Sequence, residues 1–271
     1  MEAATRALAR AGFAPTPVSV QVNPDPRGGP PRLTGTGNVT AMFVNGYIEV
    51  LFKTAETPIV AEMKAAMARY RGVHLAAFAV ADATGAHRRL AGNGFRVRPL
   101  VEMQRPVDSG AGPGTAKFTL ARVEAGEMPE GRIQMLTHRT EHLVWQPRWM
   151  AHRNGALALM RVLIVVANVD EAANRYARFS GRVATRAAFG YAIALDRGRV
   201  DLMTADGFRQ VLPETPIPCL PFMGAYEIKV RSLAALRDVL KHAASQWRER
   251  ADKVIAPFPE ELGQGAWVFT Q

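Results

Sequence analysis

The chain has 271 residues, 48% of them hydrophobic and 21% charged, a composition that excludes a disordered or fibrous protein and leaves room for one large domain or two ordinary ones. No apolar run is long enough to cross a bilayer, and MEAATRALARAGF has neither the apolar core nor the cleavage site of a secretory signal, so a cytoplasmic protein without a membrane partner is expected. The formal net charge is +10, but the 34 basic residues, only six of them Lys, are scattered singly and accompany no nucleic-acid motif, which favours a solvated Arg-rich surface over a polyanion partner.

Taken in chain order, an Ala-rich stretch of helical spacing runs to Leu8 and stops at Gly12, where a helix C-cap belongs. The Pro/Gly-rich segment Asn23 to Asn38 reads as a mobile loop over a pocket, followed by two apolar strands, NVTAMFV and GYIEVLF. GVHLAAFAV is a third strand, and after it a second helix ends at Gly94. TAKFTLARV and GRIQMLT are strands again, with the hairpin loop GAGPG (Gly110 to Gly114) before the first. That loop precedes no helix and no Lys-Ser/Thr pair, so it is not a phosphate loop. Cys219, the only cysteine, rules out an intrachain disulfide or a cysteine-built zinc site.

Two stretches repeat. LARAGF (Leu8 to Phe13) and LAGNGF (Leu90 to Phe95) align as Leu-Ala-x-x-Gly-Phe without a gap at a shift of 82 residues. The second copy is strand, helix, strand, strand, strand. A third copy runs LMRVLIVVA, then NVDEAANRYARFSGR as helix, then YAIALDRG and RVDLMTADG. A weaker fourth has GAYEIKV, the helix SLAALRDVLKHAASQWRER and a closing GAWVFTQ. Alternation within GYIEVLF puts Tyr47, Glu49 and Leu51 on one face and leaves Ile48, Val50 and Phe52 to a helix-covered core, so Glu49 is turned to the opposite face.

Four βαβββ modules resemble the vicinal oxygen chelate superfamily, and EGRIQMLTHRTEHLVWQPRWMAHRNGA (Glu130 to Ala156) resembles its glyoxalase-like domain branch. The resemblance implies an α+β fold of curved mixed sheets with helices on the outer face. Residues 1–155 would form one glyoxalase-like domain from modules 1–71 and 72–155, and residues 156–271 a second from two degenerate modules. It also implies a divalent metal (Fe, Mn, Zn, Ni or Co) in the cup, held from first and last strands and chelating adjacent oxygens of a small substrate. Carried onto this chain, the ligands are His74, Glu49 and Gln134, with Asp201 as a third last-strand cognate and Glu49 able to act as base. Shifting His74 back by 82 residues lands before Met1, so the first strand of the first module is missing, and its unpaired edge points to strand pairing in a homodimer.

His138, His142, Trp145 and Trp149 follow the strand of Gln134. They are expected, with Tyr47, to wall the pocket mouth and touch substrate, the rival reading being a connector pinned by aromatic packing. A His138/His142 metal pair is disfavoured by the Thr-rich turn and Pro147. The leading expectation is a metal-dependent lyase, isomerase or dioxygenase; the alternative is a metal-free small-molecule binding protein on the same scaffold.

Overall fold

The Leu-Ala-x-x-Gly-Phe repeat is a helix-stop. In the computed structural model, which describes residues 1–243 and 245–271, helix α1 (Glu2–Arg10) ends with the Phe13 amide donating to Leu8 O at 3.1 Å, and α3 (Ala83–Gly92) ends with Phe95 donating to Leu90 O at 3.1 Å. Gly12 and Gly94 both take φ +83°, the left-handed geometry this stop requires. Leu and Phe of each copy are buried together, so the six residues end the helix and aim the chain into the core.

After α1 the chain makes β1 (Ser19–Asn23), β2 (Arg32–Met42) and β3 (Tyr47–Lys53), then α2 (Pro58–Arg69). The second module is β4 (Leu75–Ala79), α3, β5 (Val101–Asp108), β6 (Pro113–Arg122) and β7 (Arg132–His138). The short α4 (Glu141–Val144) and a 3₁₀ turn (Pro147–Trp149) lead onward. The third has β8 (Ala156–Val165), α5 (Val169–Ser180), β9 (Ala184–Ala187), β10 (Gly190–Leu195), β11 (Gly198–Met203) and α6 (Ala205–Val211). The fourth has β12 (Phe222–Val230), α7 (Leu233–His242), β13 (Arg248–Arg250), β14 (Lys253–Pro257) and β15 (Ala266–Thr270). Helix starts follow side-chain chemistry: Thr57, Asp82, Asn168 and Ser232 each accept a backbone amide at their N-cap.

The strands form two curved sheets, a seven-stranded one in the order β3-β2-β1-β5-β6-β7-β4 and an eight-stranded one in the order β13-β14-β15-β12-β8-β11-β10-β9. Each complete module pairs its first strand parallel to its last, as β4 with β7, β8 with β11 and β12 with β15. The first module lacks that strand, so β3 is a sheet edge among the described residues. Helices α1, α3, α5 and α7 cover the convex faces and form a layer between the sheets. One core joins α1 and α7 through Leu8, Phe43, Leu236 and Trp267; another joins α3 and α5 through Phe78, Leu90, Tyr176 and Phe179.

Three sequence expectations change. β1 and β2 pair across the Asn23 to Asn38 segment, so the loop shrinks to residues 24–31. The fourth-module helix stops at His242, and Arg248–Arg250 is a strand. Helices α2 and α6 are additions to the βαβββ pattern.

Candidate functional site

Register decides what faces the first cup. Glu49 pairs with Thr40 and Tyr47 with Met42, Arg105 with Ala116, and Phe118 with His138 and Arg122 with Gln134. These residues share the concave face, which lines an open cavity of about 1580 Å³. Glu49 is half-buried, and its Oε1 accepts from Asn38 Nδ2 at 2.5 Å and Gln21 Nε2 at 3.2 Å. Two neutral amides thus fix the carboxylate.

At one end of the cup Tyr47 Oη lies 3.3 Å from His138 Nε2, and the indole of Trp145 packs edge-on against both rings while its N–H donates to Phe43 O at 3.0 Å. Burial, and then Glu49, push the Tyr47 phenol well above its usual range, so it stays protonated. Burial, and then Arg105 and Arg197, hold His138 down to about 4, so at neutral pH the imidazole is uncharged and can accept from the phenol. Arg197 belongs to the β10–β11 turn, so the second half contributes charge to the first half's cup. An apolar floor of Met42, Phe118, Leu120, Leu136 and Val144 closes this end.

At the other end Arg122 Nε donates to Gln134 Oε1 at 2.9 Å, and Arg132 reaches Ile59 O at 3.4 Å. Burial, and then its neighbours Arg132 and Arg98, bring the Arg122 guanidinium down to about 10. With Arg105, the cup holds more positive than negative charge.

His74 lines the edge of the cavity but does not share the strand face of Gln134. It precedes β4 and has the parity of Ala76 and Phe78, which pack into the convex core; the residue paired with Gln134 is Ala77. An odd offset of three residues along a strand changes the face. The His74 imidazole instead stacks on Tyr70 at 4.0 Å and donates through Nε2 to Tyr70 O at 2.7 Å. His142 is exposed on α4, and Trp149 packs under the floor with Arg148 over its ring. Asp201 lies in the second sheet within an ion cluster, where Arg161 spans it at 2.9 Å and Glu227 at 2.8 Å. Beside that cluster Phe208 and Leu212, on and just after α6, fill the second concavity against Leu163, Phe222 and Val268.

The residues present do not fit a divalent metal. Among the described residues no three His, Cys, Asp or Glu side chains converge, the Gln134 oxygen is taken by a guanidinium, and Ala77 stands where a first-strand ligand belongs. A dication there would also face Arg122 and Arg132. The sequence reading missed Arg105, Arg122 and Arg132. The alternation applied to Tyr47 and Glu49 would have found Arg105, which shares a strand face with Val101, Met103 and Val107.

His138 gives a pH test. Unfolded, it takes up a proton near pH 6.5, whereas in the fold it does so only at about 4. Its contribution is therefore intact above pH 6.5 and is lost as the pH falls toward 4, by about 3 kcal/mol at most. His74 and His152 are held down by burial in the same direction. Denaturant titrations of His138→Gln should show a shallower loss of stability between those pH values than wild type; an equally steep limb would refute the assignment.

A solved structure of a hypothetical protein from Staphylococcus aureus is similar at a TM-score of 0.55 and 10% identity, covering 87% of this chain and 84% of its own. A triple mutant of 4-hydroxymandelate synthase from Streptomyces coelicolor is similar at a TM-score of 0.56 and 12% identity, covering 99% and 88%. At such identities the likeness shows the fold alone. A search of curated protein sequences finds no match. Residues 1–180 match the family model described as Glyoxalase-like domain. That match spans most of the chain and both modules of the first cup, so the chain belongs to the glyoxalase-like domain family, on the vicinal oxygen chelate fold.

Proposed function

We propose that the first cup is a small-molecule site that works without a chelated metal, with Glu49 as its one central carboxylate. The observation that carries this reading is the Arg122 guanidinium on Gln134 Oε1. A fixed cation stands where the superfamily's metal would sit, and it performs the charge-holding part of a metal's role without exchangeable ligands. Glu49, anchored through one oxygen by Gln21 and Asn38, keeps its other oxygen free to accept a hydrogen bond or a proton from a bound molecule. Tyr47, kept protonated and paired with His138, adds a neutral polar group beside it, and the apolar floor and Trp145 exclude water from the ligand's far end. The second half, its concavity filled, serves as scaffold and supplies Arg197 at the rim.

The metal-dependent reading keeps one supporting observation, that Glu49 occupies the last-strand position where the superfamily places a carboxylate ligand. One thermal-shift experiment separates the two. Small organic probes should raise the melting temperature equally with and without a chelator, and Mn²⁺, Ni²⁺ or Zn²⁺ alone should leave it unchanged. Chelator-sensitive binding, or a metal-induced rise that Glu49→Gln abolishes, would favour the metal site instead.

A further inference from the structure

Among the described residues Arg105 makes no ion pair. Its residue is 7% exposed, yet among the described residues no carboxylate comes within ion-pairing distance, and its guanidinium donates no hydrogen bond within the protein. It lies over the face of Phe118, whose ring centre is 5.9 Å from the guanidinium carbon. Glu49 is the carboxylate whose field reaches it, but that side chain is turned into Gln21 and Asn38. The two charges line the same cavity without closing on each other.

A buried cation left in this state is costly, because lost hydration is not replaced by an opposite charge. Arg175, as little exposed as Arg105, is met by Glu130 and Glu171. Arg105 differs in facing an open cavity, where the missing counter-charge can arrive from outside. Its five donors lie in a planar fork that matches the two oxygens of a carboxylate. Around it are Phe118, Tyr47, His138 and Trp145, flat rings suited to an apolar or aromatic body. At this end of the cup Arg105 is the guanidinium without a partner and Glu49 lies beside it, which favours a group with a single negative charge here; Arg122 and Arg132 stand at the other end, on Gln134 and Ile59.

We propose that the cup takes a small organic monocarboxylate with an apolar or aromatic body, and that Arg105 binds its carboxylate. This rests on the reading of the cup as a small-molecule site and adds the ligand's class. The test uses the full chain with benzoate, phenylphosphonate and the neutral benzamide as probes, followed by calorimetry and melting temperature. Benzoate should bind at least about tenfold more tightly than benzamide, a difference of about 1.4 kcal/mol, and more tightly than phenylphosphonate. Arg105→Met should erase that preference while leaving benzamide binding in place, Arg105→Lys should restore part of it, and Arg209→Met, an exposed control on α6, should leave it unchanged. Without ligand Arg105→Met should melt no lower than wild type, since it removes an uncompensated charge at nearly constant volume; a clear fall would mark Arg105 as structural and overturn the proposal.

Equal binding of benzoate and benzamide, tighter binding of phenylphosphonate, or a preference that survives in Arg105→Met would overturn the carboxylate assignment and leave the small-molecule reading standing. No response to any of the three probes would remove both.

Discussion

Glu130→Ala should destabilise the protein by about 3–5 kcal/mol, the range for breaking one side of a buried ion pair. Glu130 is fully buried in the β6–β7 connection, and Arg175, on α5, meets it through two parallel hydrogen bonds, Nη1 to Oε2 at 2.7 Å and Nη2 to Oε1 at 2.8 Å. Glu171 also bonds to Arg175, but it is exposed and can replace only part of the lost charge. Truncation leaves a guanidinium in the interior short of its best partner, and that desolvated cation is the source of the loss. The double variant Glu130→Met with Arg175→Met should recover most of it, because replacing both partners by apolar groups of similar volume is close to neutral. Equilibrium urea unfolding measures both. A Glu130→Ala change below about 1 kcal/mol would show that the pair behaves as a surface contact.

Phe179→Ala should cost a comparable amount, about 3–5 kcal/mol. The ring is fully buried near the end of α5 and meets Phe78 at 5.6 Å and Phe95 at 5.7 Å, both edge-on. Phe78 is on β4 and Phe95 closes α3, so one truncation opens a cavity shared by three elements from two modules. Those strands and helices cannot collapse around it without moving each other, which keeps the loss near the upper part of the range. Val183, four residues on and 80% exposed, is the control: its alanine variant should stay within about 0.5 kcal/mol of wild type.

The module plan could be read from the chain because its markers are local. A helix-stop of six residues, used twice with the same hydrogen bonds, needs no tertiary context to be recognised. Helix α2 was missed because only Val60 of its twelve residues is buried, so it carries little apolar periodicity. The concave face was legible at Glu49, where an acid interrupts an apolar strand. It was illegible at Arg105, because a single arginine in a chain with 28 of them looks like solvated surface. His74 misled for a geometric reason: the turn from Arg71 to Val73 shifts the strand's start, and counting from the sequence alone gave the wrong parity. Trp145 is in contact with the Tyr47–His138 pair at the wall where the sequence reading expected it, whereas His142, three residues earlier, points away on a helical turn that alternation does not describe.

The helical layer between the sheets has a consequence for how the protein comes apart. Leu8 and Phe13 belong to the first module but are enclosed by Trp267, Leu236 and Phe269 of the fourth, while Phe78 and Leu90 share their core with Tyr176 and Phe179 of the third. Neither half owns the interior that shelters its helices. Heating should therefore melt the chain in one calorimetric transition, and a fragment carrying only residues 1–155 would bare two apolar helix faces and be drawn to aggregate.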